Sequence, residues 1–204
     1  LGYDFRVSAR VLVPRPETEM LVELALEFLE HLPHPSVFDL GTGSGCTAVA
    51  LAKRCPKATV IASDVSVAAL ELGRSNAESL DALGQVEFRH ADGLAALAKG
   101  EQVDLILSNP PYIPTADIDS LQPEVRNHDP HLALDGGADG MRFHRLLAAE
   151  GQSHLKSGGK VMAEFGDGQA AAIVDLFGQA AWPGVTTAND LSHRPRIVIA
   201  SAGH

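Results

Sequence analysis

Asn109-Pro110-Pro111-Tyr112 combines residue types able to hold a planar amino group still. Proline has a fixed φ and no amide hydrogen, so two in succession stiffen the chain and remove donors. Acceptors remain: the Asn109 side-chain oxygen and the Pro110 carbonyl, which can take both hydrogens of an NH2 group and aim its nitrogen. Tyr112 adds an aromatic face to cover a flat group. A second set lies upstream. Gly41-Thr42-Gly43-Ser44-Gly45 is a Gly-rich turn, and without Cβ atoms its amides can approach a ligand closely. Asp64 follows about twenty residues later, the spacing at which a carboxylate accepts from both hydroxyls of a ribose. Asp92, with Gly93 behind it, is placed to accept from an exocyclic adenine amine. Alone, each acid also reads as a helix cap or turn former. The glycines run Gly-x-Gly-x-Gly, one residue short of the diphosphate-binding spacing. Together the set points to a nucleoside-type ligand without a pyrophosphate, beside a site for a planar nitrogen.

These residues need strand ends to carry them. Short apolar runs at 37–40, 59–62, 86–90, 103–107, 160–165 and 196–200 alternate with amphipathic stretches, the pattern of a parallel α/β sheet buried on both faces. The glycines, Asp64, Asp92 and Asn109 each follow one of the first four runs, and ligands in such sheets bind at the C-terminal strand ends. Helices are expected over 46–54, 66–80 with Ser66 as cap, 141–155 and 169–181. Upstream, 5–7 and 11–13 alternate enough to suggest a β-hairpin. Pro16 then opens a helix with Glu17 and Glu19 in its first turn and an apolar stripe of Leu21, Leu24, Ala25 and Phe28. From 109 to 140 there is no periodicity but five prolines and three glycines, which suggests a binding loop.

Composition narrows the class. The 204 residues suit one domain, with 1–35 as a hairpin-and-helix extension and 36–204 as the ligand-binding sheet. With 16 Lys and Arg against 26 Asp and Glu, the formal charge is −10, which argues against a surface built to grip nucleic acid. No run of about 18 apolar residues suggests a membrane span. Cys46 and Cys55 are too few for a disulfide framework, so a reducing, cytoplasmic setting is expected, with Cys46 a small packer at a helix start. The nine histidines are scattered without ligand spacing, so no metal is expected. The chain opens on Leu1, leaving room for a segment upstream.

The order Gly-rich turn, Asp64, Asp92, Asn109-Pro110-Pro111-Tyr112 resembles class I S-adenosylmethionine-dependent methyltransferases that act on a planar nitrogen. Longer stretches resemble the HemK/PrmC family, the peptide chain release factor glutamine methyltransferases. These are 11–19 (Val-Leu-Val-Pro-Arg-Pro-Glu-Thr-Glu), 109–114 continuing into 121–126 and 132–140, and 194–198 near the end. The resemblance implies a Rossmann-like, seven-stranded, mostly parallel sheet with a final antiparallel strand, S-adenosyl-L-methionine as cofactor and a release factor as partner. By position, Gly41, Thr42, Gly43, Ser44 and Gly45 would hold the methionine end, Asp64 the ribose, and Asp92 with Gly93 the adenine. Asn109, which the family pattern also lets touch the cofactor, would hold the substrate glutamine with Pro110, Pro111 and Tyr112. Leu12, Pro14, Arg15 and Pro16 would line the active site, Arg15 being alternatively a surface cation beside Glu17 and Glu19. Two departures are visible. The helical N-terminal domain usual in the family is not expected within these residues. The residue after Asp92 is often large or aromatic there but is Gly93 here, leaving Leu94 as the neighbouring apolar candidate. Rival readings are a glutamine methyltransferase of a ribosomal protein, a nucleic-acid adenine methyltransferase, and a silent cofactor-binding module.

Overall fold

The computed structural model describes residues 2–190 and 192–203. Seven strands form one sheet in the order β3-β2-β1-β4-β5-β7-β6. In chain order the elements are α1 (Pro16–Glu30), β1 (Ser36–Leu40), α2 (Cys46–Arg54), β2 (Thr59–Asp64), α3 (Val67–Ser79), β3 (Val86–His90) and β4 (Val103–Ser108). There follow the short α4 (Pro123–Arg126) and α5 (His131–Leu134), then α6 (Arg142–Glu150), β5 (Leu155–Glu164), α7 (Ala170–Gln179), β6 (Gly184–Asn189) and β7 (Pro195–Ser201). β1 to β5 are parallel, and β7 runs antiparallel to both β5 and β6. The mostly parallel sheet and antiparallel final strand agree with the sequence.

Apolar residues fill both faces. One cluster joins Leu21, Val22, Ala25 and Leu29 of α1 to the buried residues of α2, β1 and β2. The other packs Phe38, Ile106 and Val161 of the sheet under Leu147, Ile173, Phe177 and Trp182. The expected boundary at 35/36 therefore falls between elements that share a core, since α1 also contacts α2, β4 and β5. Burying one such side chain stabilises by roughly 1.5–3 kcal/mol, so α1 is anchored against β4 and β5. Pro16 occupies the first helical position, and the Ser66 hydroxyl accepts from the Ala69 amide as the cap of α3. Among the described residues no helix is long and apolar enough to cross a membrane.

Three local expectations need correction. Residues 2–15 form no hairpin; they run as an extended segment with a turn at 9–11. The Arg6 amide and carbonyl, which a partner strand would use, instead bond the side chain of fully buried Asn76 in α3, at 2.9 and 3.0 Å. β5 starts five residues before its apolar run, because 155–159 pair or bulge against β4 despite carrying Lys156, Ser157 and two glycines. The 141–155 helix ends at Glu150 and continues as a 3-10 turn, Gly151–His154.

Candidate functional site

The strand order sets the site. Because β3, β2, β1 and β4 are neighbours and parallel, their C-terminal ends stand in a row about 4.8 Å apart. The row carries Asp92, Asp64, the Gly-rich turn and Asn109 in that sequence. They border one cavity of about 270 Å³, whose lining includes Leu12, Pro14, Gly41, Thr42, Gly43, Ser44, Asp64, Asp92, Gly93, Asn109, Pro110 and Pro111. Residues expected from four separate stretches thus meet at one place.

The turn is tied to its neighbour strand by main-chain bonds from Gly41 and Thr42 to the Ser63 carbonyl, at 2.9 and 2.8 Å. The Asp64 carboxylate accepts from the Gly43 amide at 2.9 Å and the Ser66 amide at 2.8 Å. It therefore locks the turn to the start of α3, and each oxygen keeps acceptor capacity for a ligand hydroxyl. Gly45 does not line the cavity. Its φ is +77°, and an added Cβ would stand 3.0 Å from Gly73 Cα, so the third glycine lets α3 close against the turn. The Asn76 side chain completes this contact by donating to the Ser44 carbonyl at 2.8 Å.

The adenine end departs from expectation. Gly93 has φ +58°, and a Cβ there would come 2.8 Å from Leu146 Cδ2, so this backbone admits no larger residue without movement. Leu94 is buried in the core and does not substitute. The aromatic ring on the cavity is Phe143, in the first turn of α6, with the Arg142 guanidinium 5.2 Å from its centroid. Arg142 also stands 3.8 Å from the exposed Asp92 carboxylate, a contact weak enough to yield to a ligand.

At the β4 end, Asn109 Nδ2 donates to Thr18 Oγ1 at 3.1 Å. Tyr112 is not on the cavity lining. Its hydroxyl lies 3.3 Å from Oε1 of buried Glu164 at the end of β5, and its carbonyl accepts from Gln169 Nε2 at 3.0 Å. A buried carboxylate draws the phenol toward it, which corrects the expectation that the ring covers the substrate group. Below, the fully buried His144 imidazole makes its bond through Nε2 to the Glu164 carbonyl, and burial lowers its pKa to about 4.

Arg15 is exposed, which favours the surface-cation alternative over the lining. It is not on the lining, and its guanidinium pairs with Asp129 at 2.7 Å, on the loop that brings Pro130, Leu132 and Ala133 to the cavity. The Pro16 side chain lies outside the described residues. Cys46 is half-buried on the cavity rather than a core packer, and burial pushes its thiol up.

Sequence reasoning missed Thr18, Asp39 and Phe143. Asp39 lies inside the buried β1 run, and a charge in such a run was a usable signal. Burial raises its carboxyl to about 6, opposed by a 2.6 Å bond from the Thr42 hydroxyl and reinforced by the charge of Asp64. Thr18 lay within a stretch already singled out, whereas nothing marked Phe143.

The family model "Methyltransferase small domain" matches residues 19–128. A release factor glutamine methyltransferase of Geobacter sulfurreducens is 44% identical over 199 residues, covering 97% of this chain and 68% of that protein. A crystal structure titled as a release factor-specific protein-(glutamine-N5) methyltransferase, from Alicyclobacillus acidocaldarius, superposes with a TM-score of 0.59 at 28% identity, over 99% of this chain and all of that one. A methyltransferase from Pyrococcus furiosus superposes with a TM-score of 0.69 at 18% identity, covering 100% of this chain and 90% of that one, a likeness of fold alone.

Proposed function

Because the chain belongs to the release factor glutamine methyltransferase family, we propose that it methylates the side-chain amide nitrogen (N5) of a glutamine in a peptide chain release factor. The observation that carries the reading is the convergence of Asn109 and Pro110 with Asp64, Asp92 and the Gly-rich turn on one cavity. The residues fit S-adenosyl-L-methionine. Asp64 has acceptor capacity for the ribose, Asp92 for the adenine amine, and the open Gly41 to Ser44 backbone for the methionine end. The cofactor supplies a methyl group already activated by its sulfonium charge.

An amide nitrogen is a poor nucleophile because its lone pair is delocalised into the carbonyl. The Asn109 side-chain oxygen and the Pro110 carbonyl take its two hydrogens, raise electron density on nitrogen and aim it. The same acceptors stabilise the positive charge that develops there. No strong base is required before transfer. Fixing two reactants in line contributes up to roughly 7–11 kcal/mol. The rigid Pro110-Pro111 pair keeps the acceptors from relaxing away.

Transfer of a labelled methyl group tests the assignment, with a release factor, a ribosomal protein and DNA offered in parallel and the products mapped by mass spectrometry. Label on a release factor glutamine is the expected outcome. Label on the ribosomal protein or on DNA instead would overturn it.

A further inference from the structure

We infer that Thr18 is the positioning residue that anchors the Asn109 side-chain amide where it meets the substrate, an inference that rests on reading this site as an amide methyltransferase. An asparagine amide turned over by half a rotation occupies nearly the same space with its oxygen and nitrogen exchanged. The two settings are chemically opposite here. One offers oxygen to a substrate NH2 group; the other offers a second donor, which repels it.

The side chain is tethered from 91 residues away in sequence, by the Thr18 hydroxyl that accepts from Asn109 Nδ2 at 3.1 Å. Holding Nδ2 leaves Oδ1, on the other arm, for the substrate. Thr18 is 7% exposed and lines the same cavity as Asn109 and Pro110. It is itself well fixed. Its amide bonds the Arg15 carbonyl at 3.1 Å in the first turn of α1, and β-branching restricts its χ1. Arg15 ties that same turn to Asp129 at 2.7 Å, across the loop that covers the cavity. The start of α1 thus works as a bracket for the β4 end, although Thr18 acts only through Asn109.

Thr18→Val keeps the shape and removes the acceptor; Thr18→Ser keeps the acceptor. Four readouts apply: single-turnover methyl transfer to a glutamine peptide, calorimetric affinity for S-adenosylhomocysteine, the thermal midpoint, and the Asn109 side-chain amide resonances in the free protein. Thr18→Val should slow transfer by about 10- to 100-fold, the scale of a displaced reacting group. It should shift the Asn109 amide signals while leaving cofactor-product affinity within about twofold, and Thr18→Ser should recover most of the rate. In an Asn109→Ala background, Thr18→Val should slow transfer no further, because the two act as one unit. An unchanged Thr18→Val rate with unshifted Asn109 signals overturns the inference. So does an equal slowing by Thr18→Val with and without Asn109, which marks a merely structural role. A wild type that binds S-adenosylhomocysteine but transfers nothing to glutamine refutes the functional reading instead, and the amide resonances still decide whether Thr18 holds Asn109.

Discussion

Asp39→Asn should change how stability depends on pH, by an amount that follows from where Asp39 sits. Its carboxyl is buried at the end of β1, which raises its pKa from 3.8 to about 6. An acid with a raised pKa in the folded state holds its proton longer folded than unfolded. The stability this confers is complete below pH 3.8 and is lost as pH rises through about 6. At 1.36 kcal/mol per pKa unit, the ionised carboxylate leaves the wild type about 3 kcal/mol less stable at pH 8 than a neutral side chain would. Asparagine does not ionise and still accepts from the Thr42 hydroxyl. It adds a buried NH2 group whose cost, roughly 1–3 kcal/mol if unpaired, is independent of pH. The informative quantity is therefore the stability of the variant minus that of the wild type, from urea unfolding at pH 4 and pH 8. It should move by about 2.5 kcal/mol in favour of the variant, since about 0.5 kcal/mol of the effect is already present at pH 4. A difference flat within about 0.5 kcal/mol would refute the argument, because only a carboxyl that titrates differently on folding produces the trend. A cationic ligand should favour the ionised form, so wild-type affinity for S-adenosylmethionine should rise from pH 5 to pH 7 while that of the variant stays level.

Asp64→Ala removes the acceptor for the Gly43 and Ser66 amides as well as a ligand contact, and calorimetry should show S-adenosylhomocysteine binding weakened by roughly 1–3 kcal/mol. Gly93→Ala places a Cβ against Leu146 at a positive φ, and thermal unfolding should show a loss of about 1–3 kcal/mol. Phe143→Ala should weaken S-adenosylhomocysteine and adenosine by the same factor, since the ring lies at the Asp92 end of the cavity. Unequal losses would place the ring elsewhere on the ligand.

Much of this site is legible without coordinates, for a physical reason. A parallel sheet demands continuous apolar strands and puts ligands at their ends, so runs followed by Gly41, Asp64, Asp92 and Asn109 carry both fold and site in one pattern. Helix signals were equally local: α2 matched residue for residue because a Gly-rich turn precedes an Ala-rich stretch, and α3 matched to within one residue at each end because Ser66 caps it. Failures came where a distant partner decides. Alternation at 5–7 and 11–13 resembles a hairpin until Asn76 takes the Arg6 backbone groups. Tyr112 reads as a cover for the substrate until Glu164, 52 residues on, holds its hydroxyl. Thr18 reads as one more polar residue in a helix start until Asn109 donates to it. β6 carries Thr186, Thr187 and Asn189 at the sheet edge, where no residue is fully buried and no apolar run is left to find.

The claim at the centre is that Asn109 and Pro110 hold and activate the reacting amide. Single-turnover methyl transfer by Asn109→Ala, with folding checked and cofactor affinity measured in parallel, tests it most directly. Losing one preorganised polar contact while the Pro110 carbonyl and the proline pair remain should slow transfer by about 10²–10³-fold, with a smaller change in S-adenosylmethionine affinity. A rate within about threefold of wild type, in a folded variant that still binds cofactor, would contradict the account and leave Asn109-Pro110-Pro111-Tyr112 as no more than a stiff turn at the end of β4.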